Sequence, residues 1–231
     1  MAKITWYGHS AFKIETDGKA ILIDPFFAPG SGFVWQDAGK IDLVLITHDH
    51  GDHTGDALAI CLKWGAKLGC VVGTAQTFRE KGLSQSQILN GIGFNIGGSL
   101  IYGNTLITMT QAFHSSDSGV PVGYILRLAD GPTIYHAGDT GIFSSMKLFG
   151  SLYNIDLALL PIGGVFTMDA WQAANACSQL GCRTVIPMHW GTFPVLAQTP
   201  DVFLADLARI APQCECRVMT KGVPAEFPGG R

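Results

Sequence analysis

The stretch Thr47-His48-Asp49-His50-Gly51-Asp52-His53 places four potential metal ligands, His48, His50, Asp52 and His53, within six positions. It directly follows residues 41–47 (IDLVLIT), a short apolar run with the pattern of a strand buried on both faces. In extended backbone, residues i and i+2 project to the same side, so His48 and His50 can grip one metal ion. A turn at Gly51 then aims Asp52 and His53 at a neighbouring position. Imidazole combined with carboxylate suits zinc, manganese, iron or nickel. The rival reading, buried histidines clustering at a strand end by chance, asks much more of coincidence.

Further ligands should also follow strands. The chain has seven histidines, and the four outside the motif are His9, His114, His136 and His189. His114 follows a predicted strand over residues 106–113, His189 one over 184–188, and Asp139 stands in His136-Ala137-Gly138-Asp139-Thr140 after another. Each is weak by itself; beside the first motif, His114, Asp139 and His189 become metal ligands. His9, in Gly8-His9-Ser10, reads either as a proton donor lining the pocket or as a loop histidine bonded to backbone. His136 reads as structural, or as a group that orients a ligand. Asp24 and Asp49 are candidates for fixing imidazole tautomers, and Asp49 equally for capping the turn that follows. Gly163-Gly164 with Phe166, Thr167 and Met168 could shape a pocket mouth. Trp190 and Phe193 read as pocket walls or as core.

The elements that position these groups alternate in type. Residues 3–6, 11–14 and 19–23 are predicted strands, the last two joined by an Asp17-Gly18 turn. A helix over 56–64 and a strand over 67–72 follow. Strands are then predicted over 106–110, 122–128, 133–136, 155–161, 184–188 and 217–220, with a turn at Asp130-Gly131-Pro132. Asp169 caps a helix that stops before Gly181. A last helix has Thr199 as its cap, Pro200 at its first position, and Phe203, Leu207 and Ile210 on one face. Strands outnumber helices and the two mix along the chain, which implies one α/β domain over residues 1–231, with helices covering layered mixed sheets.

Composition agrees. Of the residues, 47% are apolar and only 14% charged, and the acids are 14 Asp to 4 Glu, as befits buried sheet and tight loops. A net charge of -3 gives no cationic field for nucleic acid. No apolar run reaches the roughly 18 residues that span a bilayer, and residues 1–24 show no signal peptide, so a cytoplasmic location is expected. The six cysteines include no CxxC pair and read as buried reduced thiols.

These motifs resemble the metallo-β-lactamase superfamily, whose HxHxDH motif is matched by His48, His50, Asp52 and His53, and whose later ligands are matched in order by His114, Asp139 and His189. Trp6-Tyr-Gly-His-Ser-Ala-Phe12, Asp24-Pro25, His136-Ala-Gly-Asp-Thr140 and Met188-His-Trp-Gly-Thr192 are similar to the branch of small metal-dependent hydrolases that includes L-ascorbate-6-phosphate lactonase. The resemblance implies a four-layer αββα sandwich: two mixed sheets flanked by helices, with the site at one edge. It implies two divalent metal ions per chain, zinc or manganese first, iron or nickel as alternatives. His48, His50 and His114 would hold one ion and Asp52, His53 and His189 the other, with Asp139 bridging. A hydroxide bridging the ions would attack an ester, lactone, thioester or phosphoester of small-molecule size, oriented by Asp52, with His9 as the second catalytic candidate. A mononuclear iron dioxygenase acting on a thiol or persulfide, and a metal-binding module without catalysis, are the alternatives. Asp139 stands where zinc β-lactamases carry Cys, which argues against penicillin hydrolysis. The oligomeric state stays open.

Overall fold

A computed structural model describes residues 1–129 and 131–228. Asp130 of the expected 130–132 turn lies outside the described residues. In one sheet are β1 (Ala2–Gly8), β2 (Ala11–Thr16), β3 (Lys19–Ile23), β4 (Leu43–Leu45) and β5 (Lys67–Gly69). The second sheet holds β6 (Ser99–Tyr102), β7 (Thr105–Gln111), β8 (Val122–Arg127), β9 (Thr133–His136), β10 (Leu157–Pro161), β11 (Thr184–Met188) and β12 (Glu215–Cys216), while β13 (Ala225–Phe227) returns to edge the first beside β1. Both sheets are mixed. In the first, β1–β3 pair antiparallel and β3–β5 parallel. In the second, β6–β9 are antiparallel and β9–β12 parallel.

Side-chain alternation explains the layering. Along β10, Leu157 and Leu159 join a core between the sheets, while Ala158 and Leu160 face the helices outside. Along β4, Leu43 and Leu45 point inward, and Val44 points to α2 (Ala57–Trp64) and α3 (Val72–Glu80). The outer face of the second sheet is covered by α4 (Ser145–Tyr153), α5 (Ala170–Leu180) and α6 (Asp201–Ile210). The order is helices, sheet, sheet, helices, the expected αββα sandwich. Trp6, Phe12 and Tyr124 are fully buried between the sheets, each contributing roughly 1.5–3 kcal/mol from burial.

The strand and helix predictions hold with adjusted ends, and two need correction. Residues 217–220 are not a strand: Arg217 makes one backbone bond to Val185 and the chain then leaves the sheet, which is edged by the shorter β12. The last helix begins at Asp201, with Pro200 at the cap position; the Thr199 hydroxyl donates to the Asp201 carboxylate (2.8 Å) and does not cap the backbone. Asp169 does cap α5, accepting from the Gln172 amide at 2.8 Å. Helices α3 and α4 went unforeseen. Five cysteines are buried and six are free, as expected of reduced thiols; the fold also gathers Cys177, Cys182 and Cys214, whose spacing gave no sign of it. Among the described residues, no helix is long and apolar enough to cross a membrane.

Four hydrogen bonds pin the two sheets together at one edge. The Val122 amide donates to Thr47 O and the His189 amide to His9 O, both at 3.0 Å. The Tyr124 hydroxyl donates to Ile46 O at 2.6 Å, and the His136 ring to Ser10 O at 3.0 Å. In each, at least one partner lies in a loop that follows a strand. The candidate residues stand there.

Candidate metal centre

Every candidate ligand leaves the C-terminal end of a strand or the turn just beyond it. After β4 the chain carries His48 and His50, and α1 (Gly51–Thr54) starts with His50 at its cap position. That single turn of helix swings Asp52 and His53 to the neighbouring position. His114 follows β7, Asp139 follows β9 and His189 follows β11. Close approach is allowed by missing side chains: a Cβ on Gly138 would stand 2.5 Å from Val122 O, and Gly138 has a φ of +63° that few other residues adopt cheaply. His9, Asp24 and His189 also have positive φ, at 49°, 47° and 57°, so backbone strain concentrates at this edge.

The seven predicted ligands converge. In each of three sets, His48/His50/His114, His48/His53/Asp139, and His9/Asp52/His53/His189, the potential ligand atoms lie within 4.8 Å of one another. Asp139 Oδ2 is 2.9 Å from His189 Nε2, 3.3 Å from His53 Nε2 and 3.7 Å from His114 Nε2. His48 Nε2 and His50 Nδ1 face each other at 2.9 Å.

A network behind the cluster sets which ring nitrogens are free. Asp24, fully buried, accepts from the Thr47 amide (2.8 Å), the Thr47 hydroxyl (2.7 Å) and His53 Nδ1 (2.7 Å). Because the Thr47 proton points to Asp24, its oxygen accepts from His48 Nδ1 at 3.1 Å. Hydrogen-bond satisfaction thus assigns the protons of both imidazoles to Nδ1 and bares both Nε2 atoms. For His53 this turns a bare nitrogen toward the Asp139 carboxylate at 3.3 Å. Two acceptors facing each other in a buried site need a cation between them. His53 Nε2 and Asp139 Oδ1 are buried without a hydrogen-bond partner, as befits a site built around an ion. The donor set, imidazoles and carboxylates, fits a divalent cation such as zinc, manganese, iron or nickel.

Without an ion, a proton takes that place. Burial alone would lower the His53 pKa, but the Asp139 and Asp24 carboxylates outweigh it and hold it well above the ordinary value. Burial would raise Asp139, and His53 and His189 instead bring it well below the usual carboxylate range. His48 is pushed down to about 3, first by burial and then by the charge of His53. His114 is also lowered, chiefly by burial.

His9 and Asp49 take roles that the sequence left open. His9 Nε2 lies 3.2 Å from Asp52 Oδ2, and its Nδ1 is 3.1 Å from the Thr192 hydroxyl. Burial lowers His9 to about 4 against the opposing Asp52 hydrogen bond, so the neutral ring donates to Asp52 and accepts from Thr192. It sits behind Asp52 and against His189 and Phe193, and does not itself line the cavity over the cluster. Asp49 neither caps α1 nor touches a histidine. It accepts from the Ser116 hydroxyl (2.8 Å) and the amides of Asp117 (2.8 Å) and Ser118 (2.5 Å), tying down the loop after His114. Burial would raise its pKa, and these hydrogen bonds, led by Ser118, bring it to about 2. His136 is structural: its ring donates to Ser10 O and accepts from the Gly138 amide (3.1 Å), steadying the turn that presents Asp139.

A cavity of about 340 Å³ opens over the cluster, lined by His50, Asp52, His114, Asp139 and His189 together with Ser115, Phe166, Phe193 and Val195. Phe166 and Phe193 were foreseen. Trp190 instead packs on Trp6, ring centroids 5.4 Å apart, and Met168 is core. Thr47 and Thr192 stand inside motifs quoted above but carry no role there, and Val195 is singled out by the structure alone.

Comparison with known proteins agrees with this architecture. The family model described as a β-lactamase superfamily domain matches residues 3–189. A protein of Nitratidesulfovibrio vulgaris named UPF0173 metal-dependent hydrolase is 60% identical over 222 residues, covering 95% of this chain and 93% of that relative. One of the same name from Caldivirga maquilingensis is 43% identical and covers 99% of each. The solved structure of Igni18, a metallo hydrolase from the hyperthermophilic archaeon Ignicoccus hospitalis, superposes with a TM-score of 0.88 at 42% identity, covering 98% of this chain and 99% of that one. The chain belongs to the β-lactamase superfamily, in the group of UPF0173 metal-dependent hydrolases.

Proposed function

We propose that the chain is a hydrolase working with two divalent cations, one held by His48, His50 and His114 and the other by Asp52, His53 and His189, with Asp139 between them. The observation that carries this reading is the bare His53 Nε2 facing the Asp139 carboxylate in a site where Asp24 and Thr47 dictate both tautomers. Bound divalent cations supply Lewis acidity and bring the pKa of a coordinated water from 15.7 towards about 7. Asp52 faces the cavity as an ionised carboxylate: burial would raise its pKa, and the His9 hydrogen bond brings it far below the usual range. It accepts a proton from the attacking water and fixes that water's orientation. His9 is a positioning residue, holding Asp52 from behind while Thr192 holds His9.

Metal analysis of protein purified without chelator, followed by a panel of esters, lactones, thioesters and phosphodiesters, tests the reading. Two ions per chain and turnover of at least one class are expected. Asp52→Asn, nearly isosteric, should fold normally and lose at least about 10² in rate through misorientation of the nucleophile. One iron per chain with oxygen uptake would refute the reading, as would wild-type turnover by folded Asp52→Asn.

A further inference from the structure

The cavity's lining mixes two chemistries. Besides the histidines and aspartates it consists of Ser115, Phe166, Phe193 and Val195, and among the described residues no lysine or arginine lines it. Recognition of a phosphate or carboxylate calls for such cations or for an array of donors. A charged group packed against Phe166, Phe193 and Val195 would lose its hydration with no charged partner there to replace it.

The apolar wall is also held in place at a cost. Val165 has a φ of +54°, in the left-handed region where a β-branched residue is strained, and the Phe166 amide closes a tight turn by donating to Gly164 O at 2.5 Å. That turn leaves Val165 71% and Phe166 58% exposed, with Phe166 over the cavity. Phe193 on the facing loop is braced, stacking on Phe26 with centroids 6.3 Å apart and edge-on to His9 at 5.5 Å. Strain that exposes an aromatic ring over a cavity calls for a ligand group to cover it.

We propose that the site takes an uncharged carboxylic ester or lactone whose apolar substituent packs against Phe166, Phe193 and Val195. This rests on the hydrolase reading above and narrows its substrate class. The oxygen of water forms a bond to the acyl carbon and the acyl carbon–oxygen bond breaks. One water proton passes to Asp52 and on to the leaving alkoxide, giving a carboxylic acid and an alcohol. Thioesters and phosphoesters whose carriers bear several negative charges are disfavoured by the same wall.

Phenyl acetate, butyrate and hexanoate, with the adipate half-ester as the charged match for hexanoate, test this on metal-loaded protein. We expect kcat/KM to rise roughly threefold per methylene until the cavity fills, and the half-ester to fall about 10²-fold below hexanoate. Phe166→Ala should draw the hexanoate-to-acetate ratio towards one. Calorimetric titration of metal-free protein with benzyl pentyl ketone, a copy of phenyl hexanoate that cannot be hydrolysed, gives a readout without turnover. Binding with a negative heat-capacity change, weakened about tenfold by Phe166→Ala, is expected. A flat chain-length profile, equal turnover of the half-ester, or absence of ketone binding would overturn the substrate class. Turnover of diphenyl phosphate but of no ester would overturn it while leaving the hydrolase reading intact. Loaded protein inert towards every ester and phosphodiester would remove both.

Discussion

Asp24→Asn replaces one oxygen by nitrogen at a residue that touches none of the cavity, yet it should weaken ion binding at both positions. Asp24 Oδ1 accepts from the Thr47 amide, and Oδ2 accepts from the Thr47 hydroxyl and from His53 Nδ1. An asparagine satisfies every partner in one orientation only, with its oxygen at the Thr47 amide and its two N–H groups on the Thr47 hydroxyl and the His53 ring. His53 Nδ1 then becomes an acceptor and its proton moves to Nε2. The Thr47 hydroxyl turns its own proton to His48 Nδ1, at 3.1 Å, which moves that ring's proton to Nε2 as well. Both nitrogens assigned to ions are blocked. Restoring them requires the flipped amide, whose NH2 would meet the Thr47 N–H in a fully buried site. Leaving such a donor unpaired costs about 1–3 kcal/mol, or about 10- to 100-fold in affinity, the range known for groups that orient metal ligands. Competition titration with a chromophoric chelator measures it, and circular dichroism with thermal melting checks the fold. Wild-type affinity for both ions in a folded Asp24→Asn protein would refute the tautomer assignment.

Two further outcomes follow from the same electrostatics. Because Asp139 and Asp24 outweigh burial and hold a proton on metal-free His53, ion binding should release about one proton there, so affinity rises with pH until that raised pKa is passed. Calorimetry in buffers of different ionisation enthalpy reads the release, and its absence near neutral pH would count against His53 as a ligand. Asp49, whose carboxyl is brought to about 2 by its hydrogen bonds, contributes stability that is present above the unfolded value of about 3.9 and lost as pH falls through about 2. Asp49→Ala should therefore cost about 1 kcal/mol at pH 7, allowing for its exposure, and much less near pH 2. Urea melts at the two pH values decide it; an equal loss at both would show that the carboxylate's charge is irrelevant.

Much of this site is legible in the chain because its candidate ligands obey local geometry. His48 and His50 share a side for the same reason that alternate residues of any strand do, and Gly51 frees the chain to turn beneath Asp52 and His53. His114, Asp139 and His189 are legible as polar residues that end apolar strands, although only the order of motifs tied them to one centre. The groups that set proton positions were harder to see. Thr47 looks like the last residue of a strand, and its role depends on Asp24, far off in the sequence, turning through positive φ to meet it. Thr192 is meaningful only once His9 lies beneath it. Helix α4 was hidden because Leu148 and Leu152 face solvent while Met146 is buried, which blurs the expected periodicity. In α3, Val72-Gly73-Thr74 reads as strand or turn, and Val71 provides no side-chain cap.

The candidate ligands are thus placed locally, and their protonation is set between neighbouring strands. Asp24 follows β3 and Thr47 follows β4, so the register that pairs Ile23 with Leu45 also brings the carboxylate to the hydroxyl. A slip of that register by one residue would turn Leu45 from the core between the sheets to the face under the helices and would also separate Asp24 from Thr47. The burial that fixes the register therefore fixes which nitrogens of His48 and His53 are bare. The apolar core makes the same choice for the cavity's apolar lining, since Met168, buried with α5, anchors one end of the turn that lifts Phe166 by donating its backbone N–H to Thr140 O (2.9 Å). Thr140 in turn accepts from the Phe113 amide at 2.9 Å, so the residue beside Asp139 links the chain leading into His114 to the loop that carries Phe166. A substitution at Thr140 is expected to disturb the ion and the substrate wall together.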